Sequence, residues 1–135
     1  MDLSKDEIRE KFEEWLIAWD HYDLDGVMQL IHDDIVFENW NGNIVTGKGS
    51  LRKAWIAWFL NRNFKFINEE IFIDVQEQKL LFRWCFDGSS LEPKFKGKHE
   101  IRRGIDVVHF LDGKINVKLS YSKTTIQIDS IPIFL

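Results

Sequence analysis

A chain of 135 residues with a formal net charge of −4 and a pI near 5.5 carries no basic stripe, which excludes nucleic-acid binding by neutralisation of phosphates. Its 44% hydrophobic and 30% charged residues describe one globular domain, 1–135, able to bury roughly two-thirds of its unfolded surface. No run of about 20 apolar residues is present, Met1-Asp2-Leu3-Ser4 resembles no export signal, and the lone Cys85 can form no disulfide within the chain, so no membrane partner and a cytoplasmic setting are expected.

Ser4-Lys5-Asp6-Glu7 reads as a capping box, with Leu3 and Ile8 placed for a hydrophobic staple, so a helix starts here. Ile8, Phe12, Trp15, Leu16 and Trp19 then recur at helical spacing and form one buried face. Asp23 caps a second, shorter helix running through Leu24, Val27, Met28 and Leu30 to Ile31. Ile35 to Asn39 is predicted as a strand, Asn41-Gly42-Asn43 as a tight turn and Ile44-Val45-Thr46 as a return strand. Gly47 and Gly49 precede a third helix with Leu51, Ala54, Trp55, Trp58 and Phe59 on one side.

From Phe64 the period changes to alternation, giving strands at 64–75, 78–87, 95–111 and 114–124, the last two joined at Asp112-Gly113. In the second of them Leu80, Phe82, Trp84 and Phe86 share one face and Leu81, Arg83, Cys85 and Asp87 the other. Helices cover one face, and a second copy of the chain is expected to cover the other, with Cys85 and His109 at that interface. The tail from Ile126 alternates up to Pro132 and then leaves Ile133, Phe134 and Leu135 as an exposed apolar end.

Two polar residues interrupt apolar strand faces: Asn39 and Asp106. An unpaired polar group in such a place costs on the order of 1–3 kcal/mol or more, so the pair points to an apolar pocket with polar groups at its floor. Trp15, Trp19, Phe37, Trp55, Trp58, Phe59 and Trp84 are the candidate walls, together with Arg102, Val108 and Phe110 on the Asp106 face. Packing alone explains any one of them; six Trp and eleven Phe in one small chain are what favour a cavity. Two readings stand for Asp106: a buried acid satisfied by the Trp15 indole or by backbone N–H groups, or an acid that contacts a ligand oxygen. An Arg102–Asp106 pair would keep the carboxylate ionised, and an apolar surround would keep it protonated. Asn39 either contacts a ligand carbonyl or closes the turn at Asn41-Gly42 through local bonds.

No metal is expected, because His21, His32, Asp33 and Asp34 lack tetrahedral-site spacing. Asp23-Leu24-Asp25-Gly26 fails as a calcium loop, since His21 and His32 would stand at its first and last ligand positions. No cofactor motif occurs either.

Asp-Leu-Asp-Gly at 23–26, Asp-Asp-Ile-Val-Phe-Glu-Asn at 33–39, Gly47, Gly104-Ile105-Asp106 and Asp112-Gly113-Lys114-Ile115 occur in an order and spacing that resemble the nuclear transport factor 2-like superfamily. The likeness is nearest to its ketosteroid isomerase-like and SnoaL-like, or polyketide cyclase-like, branch and runs to about Lys123. It implies an α+β cone: three N-terminal helices on a strongly curved, mostly antiparallel β-sheet that encloses a pocket. It also implies the positions of a catalytic tyrosine, an aspartate base and an oxyanion-hole aspartic acid, which fall on Trp15, Asn39 and Asp106. An amide has no useful basicity toward a carbon acid, so Asn39 removes that isomerase mechanism, and Glu38 is expected on the opposite face of the strand, a candidate base only where a bulge turns it inward.

The expected function is binding of a small hydrophobic molecule, with Asp106 and Asn39 as the candidate catalytic or contact residues. One alternative is an isomerase, cyclase or dehydratase acting on a polyketide- or terpenoid-like substrate. Another is a non-catalytic dimerisation scaffold whose pocket is filled by Trp side chains. A cavity of roughly 300 Å³ or more would favour a ligand.

Overall fold

The computed structural model describes residues 1–135. The first helix, α1 (Lys5–Asp20), starts at the predicted capping box: Glu7 N–H donates to Ser4 Oγ at 3.1 Å and Ser4 N–H to Glu7 Oε1 at 2.9 Å. Its buried face is Ile8, Phe12, Trp15 and Trp19. Asp23 caps α2 (Leu24–Gln29) by accepting from Gly26 N–H at 3.0 Å, and α3 (Lys48–Asn61) buries Leu51, Trp55 and Phe59.

These helices lie on the concave side of a curled sheet made of β1 (Ile31–Glu38), β2 (Ile44–Thr46), β3 (Phe64–Asp74), β4 (Lys79–Ser89), β5 (His99–Leu111), β6 (Lys114–Ser122), β7 (Thr125–Ile128) and β8 (Ile131–Phe134). The strand order is β2-β1-β6-β5-β4-β3, with β7 added to one end of β5 and β8 to β7. Every pairing is antiparallel except β1 with β6. The architecture is the α+β cone expected from the sequence.

Several boundaries differ from expectation, those of the first and fifth strands with most consequence for the site. The first strand begins at Ile31, where α2 has already ended, because Ile31 pairs with Ile115 before an irregularity that resumes pairing at Val36. It stops at Glu38, so Asn39 belongs to the turn. The predicted strand 95–111 starts at His99, since Pro93–Phe95 forms one 3₁₀ turn, as a proline without an N–H to donate allows. The tail folds back as the β7–β8 hairpin through Asp129 and Ser130, both at positive φ, and buries Ile126 and Ile128, although Phe134 and Leu135 remain exposed.

The convex face is apolar in rows: Phe72, Leu81, Val107 and Leu119 are neighbours across β3, β4, β5 and β6. Phe72, Leu81 and Tyr121 are exposed there. Cys85 and His109 also lie on this side. Burial pushes the Cys85 thiol above its ordinary value, against the pull of Arg103, which leaves it a poor nucleophile at neutral pH. Burial, then Lys79, holds His109 below its ordinary value. No helix is long and apolar enough to cross a membrane.

Candidate functional site

The inner face of the sheet is built from rows of cross-strand neighbours. Leu80, Val108, Lys118 and Phe37 form one row, Phe82, Asp106 and Ser120 the next, and Trp84, Gly104 and Ser122 a third. Where α1 and α3 bridge over the second and third rows they leave a cavity of about 180 Å³. All six tryptophans of the chain line it: Trp15, Trp19, Trp40, Trp55, Trp58 and Trp84. Their rings meet edge-on or tilted, as Trp19 does with Trp55 at 5.0 Å between centroids and Trp40 with Trp84 at 5.4 Å, the geometry that ring quadrupoles favour.

Asp106 sits at the polar wall of this cavity, 4% exposed. Its Oδ1 accepts from Trp84 Nε1 at 3.0 Å and its Oδ2 faces Lys118 Nζ at 2.9 Å. Lys118 also donates to Ser120 Oγ at 3.2 Å, and its ammonium lies over the Phe37 ring at 4.7 Å, a cation–π contact strengthened by the burial of Lys118. Asp106 is thus the acceptor in a buried ion pair. It is neither satisfied by Trp15 nor placed as a neutral proton donor: the Trp15 indole N–H bonds the Val27 carbonyl at 2.9 Å.

Of the residues singled out in the sequence, Trp15, Trp19, Phe37, Asn39, Trp55, Trp58, Trp84 and Asp106 come together around the cavity. Four do not reach it. Val108 and Phe110 lie deeper in the sheet, in rows that pack directly into the core, and Phe59 is walled off among Trp19 and Phe64. Arg102 does not pair with Asp106. It is buried against Glu100 at 2.9 Å and Glu92 at 2.7 Å and caps the Trp40 ring at 5.0 Å. Asn39 takes its local role, with Oδ1 accepting from Trp40 N–H at 2.8 Å, yet stays at the cavity wall.

The sequence reading missed Lys118, Ser120, Trp40, Phe66 and Phe82. Phe82 was within reach, since it alternates with Trp84. Lys118 was not, since simple alternation along β6 turns its apolar neighbours inward instead. The cavity is smaller than the 300 Å³ expected of a ligand site and larger than a filled core would leave. A second depression of about 350 Å³ between α1 and α2 is more open and mostly polar, lined by Lys11, Glu14, His21 and Asp23, with Trp15 its single tryptophan. No group of three or more His, Cys, Asp or Glu side chains gathers to hold a metal.

Helices closing a curled sheet over such a cavity define a nuclear transport factor 2-like fold, and the sequence agrees: residues 12–117 match the model of the SnoaL-like domain. The chain belongs to the SnoaL-like domain family. Its fold is similar to that of a nuclear transport factor 2-like protein of unknown function from Mesorhizobium loti, with a TM-score of 0.72 and 20% identity over 91% of this chain and 96% of that one. It is similar also to SalBIII, an epoxide hydrolase/cyclase-like enzyme with a role in pyran ring formation in the polyether salinomycin, with a TM-score of 0.79 and 12% identity over 93% and 98% of the two chains. A candidate polyketide cyclase of Xanthomonas campestris pv. campestris aligns with a TM-score of 0.70 and 13% identity over 88% and 92%. No curated protein matches the chain.

Proposed function

We propose that this protein binds a compact hydrophobic molecule in the cavity. The observation that carries the reading is the convergence of all six tryptophans with one buried polar group, Asp106 with Lys118, Ser120 and Trp84, on a single space. A cavity of about 180 Å³ compares with the roughly 150 Å³ that suffices for benzene, so the space fits a group the size of one ring. Because every tryptophan faces the cavity, intrinsic fluorescence reports occupancy directly. Titration with single-ring hydrophobic compounds is expected to shift and quench the emission saturably, and unchanged emission across such a panel up to millimolar concentration would refute the reading.

Catalysis is the finer alternative, supported by the likeness of fold to an epoxide hydrolase/cyclase-like enzyme and a candidate polyketide cyclase. Asp106 is the one carboxylate on the cavity wall, so any proton transfer there runs through it and Lys118, and Asn39 has no part in it as a base.

The convex face supports a second reading that is compatible with the first: a homodimer through the apolar row Phe72, Leu81, Val107 and Leu119. Exposed contiguous apolar rows of this kind mark interfaces. Light scattering at micromolar concentration is expected to give twice the chain mass, and Leu81→Glu to give the chain mass; a parent protein that is monomeric throughout would refute the dimer.

A further inference from the structure

The polar atoms around the cavity are unequally used. Each oxygen of Asp106 already takes a donor, from Trp84 and from Lys118, and Asn39 Oδ1 takes Trp40 N–H. Donors remain. Of the three N–H groups of an ammonium, Lys118 directs one to Asp106 and one to Ser120. The Ser120 hydroxyl, having accepted from Lys118, keeps its own proton to give, and the Asn39 amide nitrogen makes no hydrogen bond within the protein. Trp19, which lines the cavity from α1, carries a buried indole N–H with no partner at all. Buried donors without acceptors are rare in folded proteins because each costs its desolvation free energy.

Each of these carboxylate and amide oxygens already holds one donor, whereas several N–H and O–H groups hold no acceptor; an orphaned donor is the costlier of the two, so the site calls for a ligand that brings an acceptor. The charge of that ligand follows from the pair beside it: Lys118 is already matched by Asp106, both more than nine-tenths buried. A ligand carboxylate would put two anions on one ammonium out of water, which repulsion and desolvation both oppose. We infer that the cavity takes a neutral, single-ring compound with a carbonyl oxygen, the oxygen directed at Lys118 and Ser120 and the ring lying among the indoles. This rests on the ligand-binding reading above and specifies its ligand class.

Calorimetric titration with three single-ring probes of similar size tests it: acetophenone, ethylbenzene and benzoate. Acetophenone is expected to bind about tenfold tighter than either of the others, the fold-change of one well-placed hydrogen bond. Because Lys118→Met alone leaves Asp106 unpaired and threatens folding, the informative variant is Asp106→Asn with Lys118→Met, beside Ser120→Ala. In both, the ratio of acetophenone to ethylbenzene affinity is expected to fall by at least about threefold, whatever happens to the ethylbenzene affinity itself, and a ratio unchanged from the parent would overturn the inference. Ethylbenzene binding as tightly as acetophenone would overturn the inference and leave the cavity a ligand site. Benzoate binding tightest would overturn the neutral class. Binding of none of the three overturns this inference and the proposed function together.

Discussion

Asp106→Asn is expected to lower the stability of the folded protein by about 3–5 kcal/mol, the usual cost of removing one partner of a buried ion pair. The substitution conserves shape, and the carbonyl oxygen of the introduced amide can still accept from the Trp84 indole, which donates to Oδ1 of Asp106 at 3.0 Å. What it removes is the charge opposite Lys118, whose side chain is only 10% exposed and has no other anion within 4 Å. The ammonium is then left with Ser120 and the face of Phe37, which replace little of its lost hydration. Adding Lys118→Met to the same chain removes the stranded charge and is expected to restore stability to within about 2 kcal/mol of the parent, since neutral replacements of buried pairs are often tolerated. The cycle of parent, two single variants and double variant, followed by urea unfolding, gives the coupling free energy without attributing the whole loss to one contact. Single variants that each cost under about 1 kcal/mol would show that Lys118 reaches water and that the pair is no part of the cavity floor.

Lys118 escaped a reading of the sequence for a physical reason. Along β6, Lys114, Asn116, Lys118, Ser120 and Ser122 alternate with Ile115, Val117, Leu119 and Tyr121, and period-two logic assigns the apolar set to the core. The fold does the reverse over most of the strand: Lys118 and Ser120 are buried while Tyr121 is exposed. The pairing with β5 slips between His109 and Phe110, so Ile115 points inward at one end and the polar set points inward beyond it. A one-residue slip exchanges the two faces, and no local residue announces it. Asp106 was legible because it broke an apolar alternation on β5, where no slip lies between it and Phe82, Trp84 or Gly104. The helices were legible for a similar reason, since the capping box at Ser4 and the apolar face of α1 are local features. The partners of Arg102 were not, because Glu92 and Glu100 meet it only once the 3₁₀ turn and the start of β5 are in place. In the tail the exposed apolar end at Phe134 and Leu135 was legible, but the hairpin before it was not, since its docking on the β5 end is a long-range pairing with no sequence mark beyond Asp129 and Ser130.

Gly104→Ala is expected to cost about 3 kcal/mol or more and to dismantle the cavity wall, although it adds one methyl group. Gly104 stands between Trp84 on β4 and Ser122 on β6 in the inner face. A Cβ there would lie 2.2 Å from the Tyr121 carbonyl oxygen and 2.5 and 2.7 Å from Cζ2 and Cη2 of Trp84. Neither neighbour yields easily. The Tyr121 oxygen is backbone of a paired strand, so moving it opens the β5–β6 ladder, and Trp84 is 1% exposed and tied to Asp106 through its indole N–H. Overpacking a well-filled core costs about 1–3 kcal/mol where side chains can adjust; a rigid carbonyl on one side puts this position at or above the top of that range. Gly49 supplies the control. It lies within α3 at ordinary φ with nothing within 4 Å of a built Cβ, so Gly49→Ala is expected to stabilise by about 0.4–1 kcal/mol. Near-UV circular dichroism reads the same contrast at the level of the ring: Gly104→Ala should change the tryptophan bands as Trp84 leaves Asp106, and Gly49→Ala should leave them as they are. If Gly104→Ala unfolds within about 1 kcal/mol of the parent with its tryptophan bands intact, Trp84 does not lie against the Gly104 backbone. The indole that fixes one side of Asp106 would then have to be placed elsewhere, and the wall of the cavity with it.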